Sequence, residues 1–209
     1  MTDSTSPRWL VWAREIQALS QSGLTFSANE FDNERYRRLM EIAAEIIADH
    51  TELPKEPLLK DFLVQRGYAT PKVDVRGAIV RDRKILLVQE WSDQRWCLPG
   101  GWADIGEPPS EMIVREVREE SGFDVVPRKI IGVYDANRTG RPLEFYHAYK
   151  IVFLCEIIGG QARPSNETLA VDFFDLNDVP LLSSNRTNER HLAEISAHLS
   201  DPGRPTGFD

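Results

Sequence analysis

Three glutamates spaced for one face of a helix are the part of this sequence best suited to chemistry. Glu116, Glu119 and Glu120 stand at i, i+3 and i+4, and acidic side chains at that spacing destabilise an isolated helix by about 0.2–0.5 kcal/mol per pair. Their carboxylate oxygens are the hard ligands that Mg²⁺ and Mn²⁺ prefer. An arbitrary run of this kind is more often a solvated acidic face, so the surrounding sequence has to decide between the two interpretations.

The residues around the glutamates predict a helix of about three turns. Pro108 and Pro109 are typical of a helix start, and Gly122 is typical of the position just after a helix end. Five residues between them share one narrow face that we expect to pack against a core: Ser110, Ile113, Val114, Val117 and Ser121. The sequence therefore predicts a helix that buries one face and presents its glutamates on another.

The stretch from Gly101 to Phe123 resembles the Nudix box at every fixed position. That motif consists of a glycine, five residues, a glutamate, seven residues, Arg-Glu, an apolar residue, any residue, Glu-Glu, any residue, a glycine and an apolar residue. The fixed positions are occupied here by Gly101, Glu107, Arg115, Glu116, Val117, Glu119, Glu120, Gly122 and Phe123. The chain is similar to Nudix hydrolases, in motif order over roughly residues 70–180, and this resemblance favours a metal site.

The resemblance implies an enzyme that breaks a pyrophosphate bond with metal-bound water. The ligands that it implies for Mg²⁺ or Mn²⁺ are box carboxylates and one backbone carbonyl: Glu116, Glu119, Glu120 and Gly101. Arg115 stands four residues before a glutamate, and we expect it to orient and neutralise that glutamate rather than touch the substrate. Glu107 keeps two interpretations, a metal ligand or an acid that stabilises the start of the helix.

The general base has two candidates. Within the family this role falls to a box glutamate or to an acid on a later loop, which here means Glu116 or Glu167. Glu167 follows Gly159-Gly160, where we expect a loop to open. Glu167 is therefore interpreted as the base, as an additional metal ligand, or as a solvated loop residue.

Candidate contacts to the substrate lie between the box and that loop. Arg138 and Arg141 occupy a predicted turn over residues 137–142, and guanidinium groups suit phosphate because they form forked hydrogen bonds. Tyr146 and His147 follow in a strand predicted over residues 143–158 and are candidates to hold a phosphate or a base. Arginines that only confer solubility, and a histidine that only belongs to the strand, are the alternatives.

Residues 1–67 predict a separate all-helical N-terminal domain. Apolar residues recur at helical spacing in segments that begin near residue 8, after Ser27 or Asn29, and at Glu56, and Gly23 is the expected end of the first. Three short helices form only a marginal core. We expect this domain to dimerise the chain, giving a homodimer, or else to pack back on the remaining residues.

Residues 70–200 predict the second domain. From residue 73 the apolar pattern changes to alternation and short buried runs, which indicates strands, and residues 185–199 indicate a closing helix. The resemblance implies an α/β/α sandwich with a mixed sheet. Residues 201–209 are predicted to be a disordered tail.

Composition narrows the range of partners. The formal net charge is −8, and residues 1–67 carry eight Lys or Arg against eleven Asp or Glu. An acidic chain is atypical of proteins that bind DNA or anionic membranes. No signal-peptide pattern or long apolar run is present, so the expectation is a cytoplasmic protein that acts on a nucleotide.

The Y-D-x-N-R and F-Y-H-A-Y-K stretches and the helical extension resemble a Nudix subgroup that acts on ADP-ribose or CDP-choline. Two alternatives remain within the fold: an enzyme that removes damaged nucleoside triphosphates and one that processes RNA ends. A regulator that senses a nucleotide through a degenerate box and binds DNA through basic helices is disfavoured, since this box is intact and these helices are acidic.

Overall fold

A computed structural model describes residues 7–136 and 146–209. The described residues form two compact units. One contains the helices before Pro71 together with Tyr146 and His147, and the other begins at Lys72 and contains the rest. The turn predicted over residues 137–142 lies outside the described residues, as do the first three positions of the strand predicted from residue 143.

The helical unit consists of α1 (Arg8–Phe26), α2 (Glu30–His50) and α3 (Lys55–Val64). Its core is built from Ala13, Met40, Ala44, Ile47 and Phe62. The first helix continues to Phe26, past Gly23, where the sequence predicts an end. The ring of Tyr36 lies 2.4 Å from where a Cβ at Gly23 would stand. Gly23 therefore provides space for α2 rather than a stop. No helix within residues 7–136 and 146–209 is long and apolar enough to cross a membrane.

The second unit is built on a mixed sheet, as predicted. Its strands are β1 (Lys72–Arg81), β2 (Lys84–Glu90), β3 (Trp96–Cys97), β4 (Phe123–Asp135), β5 (Ala148–Gly160), β6 (Thr168–Asp175) and β7 (Gly207–Phe208). Within the described residues the order is β3-β2-β1-β5-β4-β7, with β6 paired to β2. The pairs β1–β5 and β4–β7 are parallel, and the other pairs are antiparallel.

Helices cover both faces of this sheet. The helices are α4 (Pro109–Ser121) and α5 (Glu189–Ser200). Buried Ile113 and Val117 of α4 pack with Ile79, whereas Leu192 of α5 packs with the neighbouring Ala78. Successive side chains of a strand point to opposite faces, so the two helices lie on opposite sides. The predicted α/β/α sandwich is confirmed.

Gly122 ends α4, where the sequence predicts. Its φ is +78°, and its N–H donates to the Arg118 carbonyl as in a left-handed C-cap. A Cβ at this position would lie 2.5 Å from the carbonyl oxygen of Gln161, so glycine also permits a close approach of the backbone. Gln161 N–H donates to the Gly122 carbonyl in return. The end of α4 is thereby attached to the segment that leads into β6.

Further boundaries differ from the sequence prediction. Strand β5 begins at Ala148, so Tyr146 and His147 precede that strand rather than lying in it. Gly159 and Gly160 belong to β5, where they pair with Asp124 and Phe123, so the loop begins after them. The last helix begins at Glu189 rather than at residue 185, because the side chain of Asn188 accepts backbone N–H groups and caps the helix there. Because Gly159 and Gly160 belong to β5, the loop that holds Glu167 is shorter than predicted.

The tail predicted to be disordered is instead paired with the sheet. Strand β7 lies parallel to β4 at Gly132 and Val133. Asp209 accepts the Asp135 N–H through Oδ2 at 2.6 Å and pairs with the guanidinium of Arg190 at 2.5 Å. Backbone groups at the edge of a sheet need partners, and the tail supplies them along β4. Composition alone does not reveal this non-local pairing.

Candidate active site

The glycine pair before α4 is held along β1. Gly77 N–H donates to the Pro99 carbonyl and Val75 N–H donates to the Gly101 carbonyl, both at 2.9 Å. Between them Gly100 has φ +133°, and a Cβ there would lie 2.0 Å from the Val75 carbonyl oxygen, so a side chain cannot be accommodated. The Gly101 carbonyl, predicted to be a metal ligand, thus already accepts one hydrogen bond.

Glu120 is buried against this glycine pair. Its Oε2 accepts the Gly100 N–H at 2.7 Å. Burial raises the pKa of Glu120 to about 8; the charge of Arg76 lowers that pKa, whereas the charges of Glu90 and Glu116 raise it. The protein therefore holds a carboxylate where its anion is disfavoured, and a cation bound beside it would offset that cost.

Glu116 lies on the other glycine of the pair. A Cβ added at Gly101 would stand 3.3 Å from Glu116 Oε2. Burial raises the pKa of Glu116, and the neighbouring Arg115 lowers it. Glu116 and Glu120 thus face adjacent glycines with partly desolvated oxygens, and the chemistry of this donor set fits a hard divalent cation.

Arg115 forms ion pairs with four acidic side chains in this segment. Its Nη1 lies 2.9 Å from Glu119 Oε2 and 2.9 Å from Glu116 Oε1. Its Nη2 lies 2.8 Å from Glu107 Oε2 and 3.1 Å from Asp104 Oδ2. The hydrogen bond from Arg115 lowers the pKa of Glu107. The guanidinium therefore neutralises several carboxylates, including the one four residues away.

The three box glutamates that lie on α4 have different environments. Glu120 is buried, Glu116 is half-buried, and the side chain of Glu119 is 59% exposed. Among the described residues, no three His, Cys, Asp or Glu side chains lie close enough together to hold a metal ion. In this arrangement the exposed acids converge on Arg115 rather than on one another.

Glu167 stands directly before β6, and its backbone is held on both sides. Its N–H donates to Ser165 Oγ at 3.1 Å, and its carbonyl accepts the Trp91 N–H at 3.2 Å. The side chain is exposed. Since Thr168 pairs with Glu90, Glu167 lies at the end of the sheet where β2 finishes.

Sequence reasoning missed a buried ionic cluster beneath the glycine pair. Arg76 forms a fork with Asp74, with Nη2 2.8 Å from Oδ2 and Nε 3.0 Å from Oδ1. Lys150 Nζ lies 3.2 Å from Asp74 Oδ1, and Arg76 Nη1 donates to the Leu98 carbonyl at 3.1 Å. Charged residues alternating with valines in a buried strand were the available signal, because buried charges require partners.

Family comparisons assign both parts of the chain. Residues 7–62 match a profile described as a UDP-X-like, N-terminal oligomerisation domain. Residues 71–195, more than half of the chain, match the NUDIX domain profile. The chain belongs to the Nudix hydrolase family. Its resemblance to the box is thereby confirmed at the level of the whole domain.

Known relatives match most of the length of this Nudix hydrolase. It is 40% identical over 202 residues to the Bacillus subtilis protein YjhB, which bears the provisional name of an ADP-ribose pyrophosphatase, across 97% of each chain. A solved UDP-X diphosphatase is 31% identical with a TM-score of 0.63, over 97% of this chain and 98% of that one. A Streptococcus suis ADP-ribose pyrophosphatase is 36% identical with a TM-score of 0.61, over 67% of this chain and 100% of that one.

The four predicted substrate contacts of this Nudix hydrolase fall into two pairs. Arg138 and Arg141 lie outside the described residues. Tyr146 and His147 are grouped with the helical unit and not with the unit that carries the glutamates. Burial raises the pKa of Tyr146, as does the charge of Asp61, while a hydrogen bond with Gln65 lowers it. Contact of these four residues with the substrate stays a prediction.

Proposed function

We propose that this Nudix hydrolase cleaves the pyrophosphate bond of a nucleoside diphosphate linked to a second moiety, with ADP-ribose as the leading substrate. The products are a nucleoside monophosphate and a phosphorylated moiety. The observation that carries the proposal is the pair of desolvated carboxylates, Glu116 and Glu120, that face Gly101 and Gly100 at the start of an intact box. Full-length similarity to proteins named for ADP-ribose and UDP-X supports this substrate class.

The residues present would hold Mg²⁺ or Mn²⁺ through Glu116 and Glu120, with Glu119 as the more exposed ligand. When bound, such a cation neutralises the diphosphate and lowers the pKa of a coordinated water. Arg115 keeps Glu116 and Glu119 oriented by pairing with both carboxylates. Glu167 is the proposed general base that removes a proton from the attacking water. The glycine pair lets the backbone approach the site closely.

A panel of nucleotides with Mg²⁺ or Mn²⁺ tests this function. We expect ADP-ribose to yield AMP and ribose 5-phosphate at the highest kcat/KM, and we expect chelation of the metal to abolish the reaction. CDP-choline yielding CMP more efficiently would keep the reaction and reassign the substrate. A triphosphate cleaved to pyrophosphate as the preferred reaction, or selective trimming of RNA ends, would overturn the proposal.

The helical unit carries an apolar stripe that we propose forms a homodimer interface. Trp12, Leu19 and Phe26 stand seven residues apart on α1 and are 50%, 62% and 73% exposed. A seven-residue step returns a helical side chain to nearly the same side, so these residues form one line. Exposed apolar lines of this kind mark interfaces, and a two-fold axis lets the same stripe meet itself.

Sedimentation of the full chain tests the dimer. We expect a dimer at micromolar concentration, and a monomer for the Leu19→Asp/Phe26→Asp double variant, because both charges would be desolvated at the interface. Leu181→Asp is the matched control, since Leu181 is 70% exposed in the other unit. A monomeric full-length protein, or a double variant that stays dimeric, would contradict the proposal and favour helices that pack within their own chain.

A further inference from the structure

We infer that Thr168 is a positioning residue that fixes Glu167 relative to α4. The inference rests on the proposed function, in which Glu167 acts as general base. Thr168 is the first residue of β6 and is buried, whereas the neighbouring Glu167 is exposed. Neither the box pattern nor the loop prediction singles out this threonine.

The hydroxyl of Thr168 bonds the loop to α4. Its Oγ1 donates to the main-chain carbonyl of Glu120 at 2.9 Å and accepts the Ser165 N–H at 2.9 Å. The two hydroxyl oxygens of Ser165 and Thr168 are 3.2 Å apart. A hydroxyl has one hydrogen, and the hydrogen of Thr168 is committed to a carbonyl that cannot donate. The Ser165 hydroxyl must therefore be the donor between the two.

These assignments give a directed chain of hydrogen bonds. Glu167 N–H donates to Ser165 Oγ, Ser165 O–H donates to Thr168 Oγ1, and Thr168 O–H donates to the Glu120 carbonyl. Successive bonds in such a chain polarise and strengthen one another. The peptide of Glu167 is thereby joined to the peptide of Glu120, whose carboxylate accepts the Gly100 N–H.

A β-bulge places Thr168 for this contact. Strand β6 pairs Ala170 with Gln89 and Thr168 with Glu90, so Leu169 is the extra residue. Leu169 is exposed and Thr168 is buried. Bulges change the direction of side chains and occur beside active sites. The bulge therefore turns the threonine inward at the residue that follows Glu167.

Glu120 of α4 therefore contacts both parts of the proposed site, the glycine pair and the segment that holds Glu167. Glu120 faces the glycine pair through its side chain and anchors Glu167 through its main chain. Removal of the Thr168 hydroxyl leaves the Glu120 carbonyl and the Ser165 N–H without their partner while the chain trace is kept. We therefore expect the loss to fall on the placement of Glu167, in the catalytic step rather than in binding.

A double-mutant cycle tests the inference with the full-length enzyme. We expect Thr168→Val to lower kcat for ADP-ribose at least about tenfold, while KM and Mn²⁺ affinity measured by EPR change less than about threefold. Thr168→Ser keeps the hydroxyl and should retain kcat within about threefold. In a Glu167→Gln background, Thr168→Val should lower kcat no further, because two changes that act through one group are not additive.

Hydrogen exchange supplies a readout that does not require turnover. The amides of Ser165 and Glu167 should exchange at least about tenfold faster in Thr168→Val than in Thr168→Ser. Additive effects of Thr168→Val and Glu167→Gln, equal losses in both Thr168 variants, or unchanged exchange would overturn the inference. A wild-type enzyme that hydrolyses none of the nucleotide panel would contradict the proposed function instead. Hydrogen exchange would still decide whether Thr168 holds the Glu167 segment on α4.

Discussion

Glu120→Gln is expected to lower kcat for ADP-ribose at least about 100-fold, equivalent to about 2.7 kcal/mol of barrier. The amide keeps the shape of the side chain, and its carbonyl oxygen can still accept the Gly100 N–H. What is lost is the negative charge that would hold the cation. We therefore expect weaker Mn²⁺ binding by EPR or calorimetry together with the lower rate.

Glu111→Gln is the matched control for this variant. Glu111 is an exposed acid in the first turn of α4 and does not belong to the box pattern. The Glu111→Gln variant should leave kcat and Mn²⁺ affinity unchanged. That result would show that the effect of Glu120→Gln depends on the position of the lost charge and not on the overall charge of the helix. Losses below about tenfold in both Glu119→Gln and Glu120→Gln would exclude these glutamates as principal metal ligands.

Glu167→Gln is expected to lower kcat by about 10²–10⁴, the usual range for loss of a general base. An amide cannot accept the proton of the attacking water, whereas the backbone of the residue stays held by Ser165 and Trp91. We therefore expect little change in Mn²⁺ affinity. Steady-state kinetics over a range of metal concentrations, with parallel metal titration, measures both quantities.

The metal dependence of that variant separates the roles open to Glu167. Recovery of part of the rate at high metal concentration would indicate a metal ligand rather than a base. Unchanged kinetics would return Glu167 to a solvated loop residue and transfer the role of base to Glu116. Asp172→Asn, which changes an exposed acid later in β6, is the control and should behave as wild type.

The features that the sequence determines are those with local causes. The bounds of α4 follow from Pro108, Pro109 and Gly122, because a proline pair can start a helix and a glycine can take the left-handed conformation after it. The change from helical spacing to alternation likewise predicts the start of the sheet at residue 73, one residue after the observed start at Lys72. These signals act over one or two turns of chain and need no distant partner.

Tertiary structure decides the environments of the three glutamates. Spacing alone makes Glu119 and Glu120 equally good candidates for metal ligands. In the structure, Glu120 accepts the Gly100 N–H, whereas Glu119 pairs with Arg115 and is exposed to solvent. Adjacent positions on a helix differ by about 100°, so what stands opposite each one determines its solvation. Only the packing of α4 beside β1 supplies that difference.

The remaining parts of the site depend on register between strands distant in sequence. Lys150 meets Asp74 because β5 lies parallel to β1 with these two residues paired. Thr168 reaches Glu120 because a bulge in β6 turns it inward. Strand β7 pairs with the edge of β4, which is likewise distant in sequence. A shift of one residue in register would reverse the face of every following side chain, and no local pattern in the sequence fixes that register.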